Sequence, residues 1–265
     1  IVGGHQHTRL YEPDVVNGIP ILQAGANGMF LGFFQATYDP AIDKLTNFSG
    51  KLLPVYSDSI RARKDIADLI AGQEVQVAAE LDRVIGELTE PWIRHYRSES
   101  NVGNWTADAI VKLTGRDIAF MNSGGLRRNV SAGSVKVRDI WEVHPFGNAM
   151  QAFEISAQEL QQIVQDFGTE ASDFLQVGGM RFKVKRGSGK ILELTIGGKP
   201  LDPHKTYTVA ANAFIVGHDE KYFGFSVDDR QVEDLGWIDR DIALKAFEDE
   251  GTVTSIIDGR ITIVD

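Results

Sequence analysis

Four short stretches of the 265-residue chain collect residue types that can do chemistry. Gly3-Gly4-His5-Gln6-His7-Thr8 sets two imidazoles beside flexible glycines, so both can point at one place as neutral metal ligands or face solvent in a turn. Phe120-Met121-Asn122-Ser123-Gly124-Gly125-Leu126-Arg127-Arg128 runs from an apolar segment into two glycines and a guanidinium. Glycines admit close approach of backbone N–H groups to a ligand, and arginine offers a planar fork for phosphate or carboxylate. The plain alternative is a strand-to-loop turn with a solvated arginine. Val143-His144-Pro145-Phe146-Gly147-Asn148 carries a ring on a loop bracketed by Pro and Gly, either core or a stacking platform. Gly217-His218-Asp219-Glu220-Lys221-Tyr222-Phe223-Gly224-Phe225 puts acids and aromatics on a Gly-rich loop. Two such rings either clamp a base by stacking or plug the loop onto the core. Asp202-Pro203-His204, the one Asp-x-His, opens a strand from a proline turn and reads as turn chemistry.

The elements that must position these groups follow from periodicity and punctuation. Residues 19–23 and 29–37 are β-forming runs separated by Gly25-Ala26-Asn27-Gly28. Over 57–88 apolar residues recur near helical spacing among charges, with Ser57 or Asp58 as cap and a possible break at Gly72. That pattern predicts a connecting helix between a β-rich piece and a mixed one. Helices are also predicted over 104–113, stopped by Gly115, and over 239–250. Ser156-Ala157-Gln158-Glu159 is a capping box, opening a helix whose stripe is Leu160, Ile163, Val164 and Phe167 and whose stop is Gly168. Strands are predicted over 118–122, 182–185, 191–196 and 207–211, and a hairpin joins 252–257 to 260–264 through Asp258-Gly259. Trp92, Trp105, Trp141 and Trp237 are assigned to the core. Strands and helices mix without strict alternation, so the fold class is α+β.

Composition removes several classes. With 43% apolar and 24% charged residues the chain is too apolar to stay disordered. A net charge of −10 repels a polyphosphate backbone, which argues against a nucleic-acid partner. No apolar run is long enough for a membrane span. The absence of cysteine excludes disulfides, thiolate metal sites and Cys nucleophiles. The opening Ile1-Val2-Gly3-Gly4 suits an activated serine protease, but such an enzyme needs Gly-Asp-Ser around its nucleophile, and that triplet does not occur. This opening, with no initiator Met, is expected of a piece cut from something longer. Asn47-Phe48-Ser49, Asn104-Trp105-Thr106 and Asn129-Val130-Ser131 match the N-glycosylation pattern without setting a role.

Taken in order, the motifs resemble the 5′-nucleotidase family, which includes UDP-sugar hydrolases. Asn101-Val102-Gly103-Asn104 with Ala107-Asp108-Ala109 is similar to the family's "NxGN…aDA" helix. Asn122-Ser123-Gly124-Gly125-Leu126-Arg127 resembles its "NGGGIR" loop, and Pro145-Phe146-Gly147-Asn148 its "PFGN". Gly133-Ser134-Val135, Leu201-Asp202-Pro203 with Tyr207, and Gly217-His218-Asp219 follow further family patterns. Gly3-Gly4-His5-Gln6-His7-Thr8 resembles the "GGHSHT" near the end of the family's metallophosphoesterase domain, and 20–32 its closing strands.

The resemblance implies a C-terminal remnant of the metallophosphoesterase domain over 1–52, a linker helix over 53–92, and a nucleotide-binding C-terminal domain over 93–265. That domain would be a mixed sheet with helices. Phe146 would be one stacking aromatic and Phe223 or Tyr222 the other. Arg127, Asn122 and Gly125 would meet the nucleotide. Arg97, with Arg94 second, would supply an arginine ahead of the "NxGN" helix, and Asp229 or Asp228 would bind ribose. Asn101 and Asn104 would cap that helix. His5 and His7 would each ligate one of two divalent metal ions in the full-length enzyme. The other ligands of the family's dinuclear site are absent, so the chain alone is expected to bind no metal pair and to be inactive. A nucleotide or nucleoside is the implied partner, and a periplasmic, cell-surface or secreted setting the implied location; no oligomeric state is implied. The alternative is a non-catalytic nucleotide or sugar-nucleotide binding module. A thiosulfate-handling relative fits less well, because a loop aromatic suits a base and not a sulfur oxyanion.

Overall fold

The computed structural model describes residues 1–265, which divide into two compact units, residues 1–76 and 77–265. The first unit is built of two antiparallel pairs. β1 (Asp14–Val16) pairs with β2 (Ile19–Ile21), and β3 (Phe30–Asp39) pairs with β4 (Lys44–Pro54). Neither pair buries a hydrophobic core, and Leu31, Phe33 and Tyr38 are exposed along β3. Helix α1 (Lys64–Leu81) runs unbroken past Gly72 and buries none of its residues.

The second unit holds the whole buried apolar core, which begins at Ile85 and ends at Ile261. Its elements follow as β5 (Val84–Leu88), α2 (Asn101–Thr114), β6 (Ile118–Asn122), β7 (Gly133–Lys136), α3 (Val137–Val143) and β8 (Ala149–Ser156). Then come α4 (Ala157–Thr169), β9 (Leu175–Gly178), β10 (Met180–Lys185), β11 (Ile191–Ile196), β12 (Lys199–Pro200), β13 (Thr206–Asn212), α5 (Ala213–Val216) and α6 (Asp219–Phe223). The chain closes with β14 (Glu233–Ile238), α7 (Asp239–Glu250), β15 (Thr252–Val253) and β16 (Ile261–Val264). The central sheet has the order β14-β8-β13-β6-β9, with β13 and β6 parallel and the other pairs antiparallel. Every residue of β6 is buried, as expected of an apolar run with both faces covered. One apolar cluster packs α4 and β10 against this sheet around Phe120, Phe153 and Phe182. The other packs α2 and α7 around Trp92, Ile110 and Phe247.

The α+β expectation holds, and several local expectations are corrected. The 57–88 helix is α1 alone; β4 already occupies 44–54, and β5 takes 84–88 as a strand between β15 and β7. Gly86 explains the strand, since a Cβ there would lie 2.3 Å from the Gly251 carbonyl oxygen and prevent the approach of the α7–β15 turn. The 252–264 hairpin does not form. β15 pairs parallel with β5 and β16 parallel with β10, so Asp258-Gly259 joins two different sheets. Gly168 lies inside α4, and Glu170 at φ 56° closes that helix. Ser100, not Asn101 or Asn104, caps α2 by accepting from the Gly103 N–H. Trp141 is exposed rather than core.

Candidate nucleotide-binding site

The carboxyl ends of β6 and β13 are neighbours, because Val209 to Ala211 pair in register with Ile118 to Phe120. Each strand ends on an asparagine. Asn122 accepts from Asn212 Nδ2 at 3.1 Å, and Asn212 turns its own oxygen to the Ile215 N–H at 3.0 Å, starting α5. Beyond Asn122 a tight turn of Ser123–Gly125 carries the chain to Arg127. Gly125 is required there, since a Cβ would stand 2.6 Å from Met121 Cε and 2.8 Å from Asn122 Oδ1. Buried Gln176 fixes the turn to the start of α2, donating to Ser123 Oγ at 2.8 Å and to the Ser98 carbonyl at 3.0 Å. The Arg127 N–H donates to the Val143 carbonyl at 2.9 Å and so ties the turn to the end of α3.

Phe146 leads from α3 into β8 and is 60% exposed. Contacts on both sides tie this loop to the fold. Before it, His144 is buried, with Nε2 3.5 Å from Thr106 Oγ1. Burial, and then the charge of Arg240, pull its pKa down to about 3. After it, Asn148 Nδ2 donates to Asp239 Oδ2 at 3.3 Å, and the Asp239 N–H returns a bond to the Asn148 carbonyl at 3.0 Å. Burial raises the Asp239 carboxyl above the usual range. Arg240 lies 3.7 Å over the Trp141 ring, against Gly147 at φ 62°. The Arg127 guanidinium in turn lies 5.7 Å from the Phe146 ring centroid. An exposed ring with a cation beside it can stack on a base while the guanidinium takes an oxygen of the same ligand.

The other expected residues divide. Tyr222 is buried in the same apolar cluster as Phe223, and burial raises its phenol pKa. Phe223 belongs to the core, fully buried among Phe120, Phe153 and Phe225, so it offers no ligand a face. The acidic turn works structurally, as Asp219 accepts from the Val227 and Glu220 N–H groups and from Ser226 Oγ. Arg97 is exposed and stands 4.0 Å from Glu170. Arg94 reaches the turn, donating to the Leu126 carbonyl at 3.1 Å. Asp229 is exposed on the segment after Val227. Sequence reasoning passes over Tyr96, whose hydroxyl accepts from Arg127 Nη1 at 3.3 Å, and over Phe214, exposed and edge-on to Tyr222. A groove of about 610 Å³ lies at the far end of β8 from Phe146, lined among others by Arg116, Glu159, Arg230 and Glu233. Its arginines are already paired with Glu233 and Glu159.

His5 and His7 sit in the first unit, exposed, with left-handed backbone at φ 65° and 57°. No group of three or more His, Cys, Asp or Glu side chains gathers anywhere to hold a metal ion. Two imidazoles do not fit a metal centre by themselves, so the chain's own residues do not complete one.

Residues 84–226, more than half of the chain, match the family described as 5′-nucleotidase, C-terminal domain. The trifunctional nucleotide phosphoesterase protein YfkN of Bacillus subtilis is 26% identical over 285 aligned positions, covering 98% of this chain and 19% of that protein. Protein UshA of Escherichia coli is 27% identical, covering 77% of this chain and 40% of that protein. Among solved structures, the 5′-nucleotidase precursor from Thermus thermophilus superposes with a TM-score of 0.81 at 24% identity, over 100% of this chain and 57% of that one. The chain thus spans less than two thirds of each of these proteins.

Proposed function

The chain belongs to the 5′-nucleotidase C-terminal domain family, and from that premise we propose that it is the substrate-binding part of a phosphohydrolase that removes phosphate from nucleotides. The observation that carries this reading is the exposed Phe146 ring with the Arg127 guanidinium beside it, on a loop braced at His144 and at Asn148. Phe146 stacks on the base. Arg127 meets the oxygen-rich half of the ligand, and Asn122 backs the glycine turn between them. Tyr222 and Phe223 both lie in one buried apolar cluster, so stacking on the base is assigned to Phe146 alone. Asp229 is retained as the ribose-binding acid of this reading. Such contacts orient the substrate, and orientation alone contributes substantially to a hydrolytic rate.

Bond cleavage is assigned to the whole protein. His5 and His7 would each contribute an imidazole to a pair of divalent ions, which activate water and stabilise charge on the transferring phosphoryl group when bound. With those two ligands alone the chain is expected to release no phosphate from AMP in the presence of divalent metals, which a phosphate assay checks. An extracytoplasmic setting is part of the same proposal; no helix is long and apolar enough to cross a membrane. Calorimetric titration with adenosine and AMP tests the binding claim. Micromolar to millimolar binding that is lost in Phe146→Ala supports it, and a folded protein that binds neither ligand refutes it. Ligand binding by a full-length protein that never hydrolyses the ligand would favour the non-catalytic module.

A further inference from the structure

The segment ahead of α2 brings a tyrosine to the glycine turn. Tyr96 is 55% exposed, and its hydroxyl stands over Gly124, 3.5 Å from where a Cβ on that residue would lie. Arg127 Nη1 donates to this hydroxyl at 3.3 Å and to the Gly124 carbonyl at 3.2 Å. A phenol oxygen that accepts from a cation keeps its own proton to give away, and the cation makes that proton a stronger donor. No acceptor in the protein takes it. The ring is held in place from the side by Arg94, whose guanidinium lies 5.4 Å from its centroid and is itself anchored on Leu126. Neither Arg94 nor Arg127 has a carboxylate within salt-bridge reach, although the chain carries ten more acidic than basic residues and most of its other arginines are paired. Two unneutralised guanidinium groups flanking a phenol in an acidic protein form a donor set made for oxygen acceptors.

We propose that Tyr96 contacts the ligand directly, donating its hydroxyl proton to a phosphoester or ribose oxygen that Arg127 also binds. Tyr96 is then a specificity-determining residue, one that weighs the oxygen-rich end of the ligand and leaves the base to Phe146. The inference rests on the nucleotide reading of the Phe146–Arg127 face.

The test is calorimetry of the whole 265-residue chain with adenosine and with AMP, for the wild type, Tyr96→Phe and Phe146→Ala. Melting temperatures run alongside show that each variant is folded. Tyr96→Phe keeps the ring and its contact with Arg94 and removes only the hydroxyl. A loss of about ten- to a hundredfold is expected, the size for a hydrogen bond in a charged setting. Loss confined to AMP puts the bonded oxygen on the phosphoester, and loss shared by adenosine puts it on the ribose; both support the proposal. Wild-type affinity in Tyr96→Phe for both ligands, with binding lost in Phe146→Ala, overturns the role of Tyr96 and leaves the nucleotide reading intact. Absence of binding by the folded wild type removes the nucleotide reading, and the Tyr96 inference with it.

Discussion

Phe146 can stay exposed and still be useful because the residues on either side of it are tied to the fold. His144 and Asn148 are tied to Thr106 and Asp239, so the ring is presented to solvent in one orientation. Base stacking on an aromatic contributes about 1–3 kcal/mol, so Phe146→Ala should weaken nucleoside binding by roughly ten- to a hundredfold with little change in melting temperature. His144 makes the same bracket sensitive to acid. Its pKa in the fold is about 3 against 6.5 for an ordinary imidazole, so the unfolded chain binds the additional proton between those values. The contribution of His144 to stability is therefore full above pH 6.5 and falls as pH drops through that window. Melting curves from pH 7 to 4 should show a shallower decline in His144→Gln than in the wild type. At this scale the sequence is partly readable. Asn122, Arg127 and Phe146 stand out because glycine and proline punctuate them. Tyr96 has no such marker, and its role depends on a hydrogen bond to a residue thirty-one positions away. Tyr222 and Phe223 both turn into the core from a five-residue helix, and that burial depends on partners distant in sequence, which spacing alone does not fix.

Among the elements, close backbone approach decides what periodicity leaves open. Val84, Ile85 and Leu88 continue the helical stripe of α1 in the sequence, yet they form β5 because β7 and β15 supply hydrogen-bonding edges on both sides. A strand at that place needs Gly86. Gly86→Ala would drive a Cβ into the Gly251 carbonyl and is expected to destabilise the protein by about 2–3 kcal/mol, read from denaturant unfolding. The false hairpin at 252–264 has a similar origin, since Asp-Gly is a local turn signal while the partners of β15 and β16 are far away in sequence. Where all the information is local the reading succeeds. The Ser156–Glu159 capping box forms as expected, with the Ser156 N–H donating to Glu159 at 2.8 Å. Helix α1 buries no residue, and unsupported helices of such length are marginal in water. Its amides should exchange with deuterium far faster than those of α2, which buries eight residues from Val102 to Ile110.

At the scale of the molecule, the second unit carries the core and every residue proposed to touch the ligand. The first carries the two histidines and, apart from Pro20, no buried apolar side chain. The family and the α+β class are legible in the ordered motifs because each motif sits at the end of a strand or helix, where backbone geometry restricts the residue types. Domain limits are less legible, because 77–92 shares the charge and apolar spacing of the helix before it while belonging to the core that follows. The division of labour predicts that ligand affinity depends on the second unit, and the claim at its centre is that the Phe146 ring stacks on the base. The direct measurement is intermolecular nuclear Overhauser effects between the ring protons of specifically labelled Phe146 and the purine H2 and H8 of bound AMP. Cross-peaks from Phe146 to both purine protons are expected. A saturated complex whose purine protons report only on other residues, such as those of the groove at the far end of β8, would contradict the account.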